Sequence, residues 1–146
     1  MSIVRFLVDT SAWVRYVYPK VAARLDELAA VGALTTCGVV ELELLGGLED
    51  SGTYARVASL RQQAFPVLDT GEADVGRALD VQARLVAGGA FRAPWAALLV
   101  AAVAERHGVA VLHGSRCIEV IARVTGQAGE WVAPPRTEHA PSDQIG

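Results

Sequence analysis

Apolar residues along this chain come in two rhythms. Short solid runs, at residues 3–8, 33–40 and 109–112, have the length and branching of strands buried on both faces. Longer stretches repeat apolar side chains at helical spacing. Ser11 to about Tyr18 predicts a helix with Trp13, Val14 and Val17 on one side and Pro19 as its stop, and Val21 to Val31 predicts a second, closed by Gly32. Glu41 to Leu48, Tyr54 to Gln63, Glu72 to Val86, Trp95 to His107 and Ile118 to Val124 read as further helices. Pro66 restricts Phe65-Pro66-Val67-Leu68 to an edge or a very short strand, and Trp131-Val132 reads as the last strand. Strands alternating with helices predict an α/β fold: a three-layer sandwich with a central, mostly parallel sheet flanked by helices.

Composition narrows this picture. At 146 residues and 52% hydrophobic content, the chain can bury one continuous core without disulfides or a structural metal. A single domain over residues 1–133 is expected, followed by a flexible polar, proline-bearing tail over residues 134–146. Cys37 and Cys117 lie in apolar stretches without ligand spacing, which predicts free thiols and no zinc site. The N-terminal apolar run is interrupted by Arg5 and is short for a secretory segment, and no run is long enough to span a membrane. A soluble, cytoplasmic protein with no membrane partner is the expectation. A net charge of −3 argues against a globally basic nucleic-acid binder, yet leaves room for a local basic patch, and 12 of the 13 basic residues are arginine.

The candidate chemistry begins with Asp9, a carboxylate delivered at the end of the first predicted strand. Ligands of open parallel sheets bind at that edge, although an Asp-Thr-Ser sequence also suits a helix cap. Further on, Glu43-Leu44-Leu45-Gly46-Gly47 opens a predicted helix two residues after Glu41. His107, His113 and His139 have no evident catalytic partner in the sequence and read as structural or solvated groups.

Phe6-Leu7-Val8-Asp9-Thr10-Ser11, Glu43-Leu44-Leu45-Gly46-Gly47, Pro94-Trp95-Ala96-Ala97-Leu98-Leu99-Val100-Ala101-Ala102, Val111-Leu112-His113 and Glu130-Trp131-Val132 together resemble, in that order, the PIN domain. Within it they resemble the VapC-like toxins of bacterial toxin–antitoxin pairs. The resemblance implies a PIN-like sandwich that gathers acids at one sheet edge to hold Mg²⁺ or Mn²⁺ for RNA cleavage. It implies Asp9 and Glu43 as catalytic and metal-binding acids, with Glu41 able to replace or support Glu43 and with Thr10, Ser11 and Ser115 as auxiliary oxygen donors. Arg92 and Arg116 would flank that edge as RNA contacts. A cognate antitoxin-like protein, RNA and a second copy in a homodimer are the partners it implies.

The acid set is incomplete. Where the resembled pattern carries acids, this chain has Ala97, Ser115 and Cys117. Hard divalent cations want several oxygen ligands, so the expected function is a VapC-like endoribonuclease with weak or absent cleavage. The alternative is a non-enzymatic PIN scaffold that binds an antitoxin-like protein or RNA.

Overall fold

A computed structural model describes residues 4–89 and 92–134. The expected tail, apart from Pro134, and His139 lie outside the described residues. Strand β1 (Phe6–Val8) is followed by α1 (Thr10–Trp13), α2 (Pro19–Ala30), β2 (Leu34–Cys37), α3 (Gly38–Leu45) and α4 (Ser51–Ala64). Then come β3 (Val67–Leu68), α5 (Glu72–Ala87), α6 (Trp95–His107), β4 (Ala110–His113), α7 (Arg116–Thr125) and β5 (Gly129–Trp131). The strands form one sheet in the order β3-β2-β1-β4-β5, every pair parallel. None of the described helices is long and apolar enough to cross a membrane.

The central position of β1 follows from its side chains. Phe6, Leu7 and Val8 are all buried, and alternate residues enter different halves of the core. Leu7 packs with Val39 and Val40 of α3, Val100 and Val103 of α6 and Ile118 of α7. Phe6 and Val8 pack with Val21 and Leu25 of α2, Leu34 and Val132. A third cluster, Ala78, Val81 and Leu85 with Leu98, Ala101 and Ile121, fixes α5 onto α6 and α7.

Several boundaries differ from the sequence reading, and two of them bear on the residues near Asp9 and Glu41. The helix expected over residues 11–18 stops at Trp13, and Pro19 opens α2 instead of ending its predecessor. Proline suits a first helical position because its missing N–H would have had no partner there. The second strand ends at Cys37 rather than Val40. Gly38, Val39 and Val40 form the first turn of α3, where burial against α6 overrides the strand preference of two valines. Glu41 therefore falls late in the first turn of α3, after three helical residues, and does not open the helix.

Candidate acidic site at the switch point of the sheet

Chain order reverses direction in the sheet between β1 and β4, so their carboxyl ends border the crevice where parallel sheets bind ligands. Asp9 leaves β1 there. Its backbone N–H donates to the Leu112 carbonyl of β4 at 2.9 Å, and its carboxylate caps α1 by accepting from the Ser11 N–H at 3.0 Å. The Ser11 hydroxyl donates to the same Oδ2 and accepts from the Gly114 N–H at 2.9 Å, tying Asp9 to the loop after β4. One buried side chain thus caps α1 and stands at the carboxyl edge of the sheet.

Thr10 extends the edge toward α3. Its hydroxyl donates to Glu43 Oε1 at 2.8 Å, so Glu43 reaches the segment that carries Asp9. Glu41 is turned elsewhere. It accepts from the Thr36 hydroxyl at 2.6 Å and from Arg61 at 2.8 and 3.0 Å. Arg61 in turn lies over the rings of Trp13 at 4.7 Å and Phe65 at 5.1 Å. Burial pushes the Glu41 carboxyl up, but the hydrogen bonds from Arg61 and Thr36 outweigh it and hold the group below its usual range. Its charge is neutralised inside the fold.

The remaining positions carry no charge toward a cation. Ala97 is half-buried near the start of α6 and packs against the clusters that join α6 to α3 and α7. Ser115 is the N-cap of α7, its hydroxyl accepting from the Cys117 N–H at 3.1 Å. Cys117 and Cys37 are free thiols; Cys37 is buried, which pushes its thiol up, with nearby Asp9 adding to the effect. His113 is buried under Trp131, ring centroids 4.9 Å apart, and accepts from the Ser115 N–H through Nδ1. Burial lowers its pKa against the opposing pull of Asp9 and Glu119, keeping the imidazole neutral.

A resident Mg²⁺ or Mn²⁺ does not fit this set. Such ions need several oxygen ligands, and among the described residues no three His, Cys, Asp or Glu side chains are grouped so that they could hold a metal. Asp9 Oδ2 is engaged by two donors of Ser11, Glu43 by Thr10 and Glu41 by Arg61. The edge can orient a water by hydrogen bonds to its carboxylates. It supplies too few uncommitted carboxylate oxygens to fix an ion.

Arg116 begins α7 beside this edge, and Arg92 is exposed in the connection before α6. Sequence reasoning missed Arg15, whose guanidinium donates to the Ser11 carbonyl at 2.5 Å and lies across Gly114. The four-residue spacing from Ser11 was its only trace.

Comparison with known proteins bears on this geometry. The PIN domain family model matches residues 6–122. The chain is 34% identical to Ribonuclease VapC21 of Mycobacterium tuberculosis over 134 residues, covering 91% of this chain and 97% of that one. It is 31% identical to Ribonuclease VapC51 of the same organism, covering 91% and 96%. Its fold is similar to that in DNA-bound VapBC from Salmonella typhimurium, with TM-score 0.71 at 19% identity over 90% of this chain and 100% of that one. It is also similar to that in FitAcB from Neisseria gonorrhoeae, with TM-score 0.68 at 17% identity over 86% and 96%.

Proposed function

The chain belongs to the PIN-domain family, among its VapC-like members, and from that premise we propose that it keeps the scaffold of an RNA-cleaving toxin while its acidic edge cleaves RNA weakly or not at all. One observation carries the reading. Asp9 and Glu43 flank Thr10, while the positions that should complete a metal shell are a packed methyl, a helix-capping hydroxyl and a thiol. Phosphodiester hydrolysis in such sites needs an ion to activate water and offset developing charge, and the ion needs a fixed shell. The fold does not depend on those acids, because its core is a set of apolar strands and helices.

Binding is the function that such a scaffold retains. An antitoxin-like protein is the partner we assign, in keeping with the toxin–antitoxin complexes among its structural neighbours. Strongly exposed apolar side chains such as Val17 and Leu42 are available to it. The test is cleavage of RNA by the unmodified protein in Mg²⁺ or Mn²⁺, beside Asp9→Ala and Glu43→Gln. Equal, near-background rates in all three are expected. Robust metal-dependent cleavage that either substitution abolishes overturns the proposal.

A further inference from the structure

Beside the acidic edge, where the chain turns from α1 into α2, lies a cavity of about 970 Å³. Three cations, Arg15, Lys20 and Arg116, line it together with Tyr18, Gly114 and Trp131, and among the described residues no carboxylate does. Arg15 is held in its lining. The Ser11 carbonyl accepts from its guanidinium, and its side chain crosses Gly114 so closely that a Cβ there would come within 2.8 Å of Arg15 Cδ. Neither Arg15 nor Lys20 makes an ion pair with a carboxylate among the described residues. Arg15 and Lys20 therefore bring to the cleft positive charge that no ion pair among the described residues offsets.

Tyr18 is exposed, and Trp131 is fixed in place by its indole N–H, which donates to Glu119 at 2.8 Å, and by its contact with His113. Cations that follow a phosphate backbone, combined with aromatic faces that accept a base, are the elements of single-strand nucleic-acid binding. The same loop joins the cavity to Asp9, because Gly114 donates to the Ser11 hydroxyl that bonds that carboxylate.

We infer that this cleft is a subsite for one nucleotide of single-stranded RNA, its phosphate held by Arg15 and Lys20 and its base laid against Tyr18 and Trp131. RNA, rather than another anionic polymer, rests on the toxin-family reading above. Because the cleft and not the acidic pair supplies the contacts, binding persists without any divalent ion.

The test is fluorescence anisotropy of a labelled oligouridylate with the full chain in EDTA. Saturable binding is expected, with Lys20→Ala and Tyr18→Ala each weakening it by about tenfold. Lys20→Ala should also flatten the salt dependence by about one unit of slope. Both side chains are exposed, so both variants should melt as the parent does. Arg5→Ala, at the opposite edge of the sheet, should leave binding unchanged. Uridine monophosphate should compete better than inorganic phosphate or a glutamate-rich peptide. Absence of saturable binding, equal binding by the Lys20→Ala/Tyr18→Ala double variant, or equal competition by the peptide would each overturn the nucleotide subsite. Since the readout needs no metal and no turnover, such a failure is separate from failure of the weak-cleavage proposal, which the RNA assay decides.

Discussion

Ala97→Asp combined with Ser115→Asp is expected to tighten Mn²⁺ binding on the order of tenfold to a hundredfold, because two added charges approach a cation at an edge that, among the described residues, presents Asp9 and Glu43 alone. The substitutions are chosen for what they preserve. Ser115 caps α7 through its side-chain oxygen, and aspartate is an equally good cap. Position 97 lies near the N-terminus of α6, where a carboxylate is favoured by the helix dipole. Crowding like charges near Asp9 should lower stability by about 1–2 kcal/mol without metal and return it when Mn²⁺ binds. Thermal melts with and without Mn²⁺ read both effects. RNA cleavage that appears only in the double variant would locate the loss of chemistry at these positions. A folded variant with parental Mn²⁺ affinity would mean that positions 97 and 115 do not border the site.

The largest single effect on stability should come from Asp74→Ala, at a cost of about 3 kcal/mol and a fall in Tm of roughly ten degrees. Asp74 is 1% exposed and accepts from Arg106 at 2.8 and 2.9 Å and from the Gly71 N–H at 2.9 Å, so it fastens the start of α5 to the end of α6. Removing it leaves the Gly71 N–H without its acceptor and Arg106 with only its hydrogen bonds to Asp69. The Arg106 hydrogen bonds hold its carboxyl below the usual aspartate range, against the effect of burial. A lowered folded-state pKa stabilises above the ordinary pKa, and that contribution disappears as pH falls through the lowered one. The gap between parent and variant should be full at neutral pH and should narrow in strong acid. A gap of equal size at both would show that packing, not the charge, is responsible.

Legibility in the sequence followed the range of the interactions involved. The span of α6 was readable at both ends because Pro94 and Gly108 punctuate it; Gly108 adopts a left-handed φ of 67° that glycine accommodates readily. The short β3 was readable from Pro66, and the Glu43 motif pointed to the glutamate that meets Thr10. Less legible was whatever depended on distant partners. Glu41 is withdrawn from the edge by Arg61, twenty positions later on another helix, and no local pattern marks that pairing. The valines of α3 looked like strand until the face of α6 was there to bury them. The basic cleft is assembled from the α1–α2 turn, the loop after β4 and the end of β5, so its cations were visible only one at a time.

The central claim is that Asp9 and Glu43 alone cannot fix a divalent ion, and calorimetric titration of the unmodified protein with Mn²⁺ tests it most directly. The account predicts no saturable binding below about millimolar Mn²⁺, with a trace indistinguishable from that of Asp9→Ala. Stoichiometric binding in the micromolar range, lost on Asp9→Ala or Glu43→Gln, would contradict it.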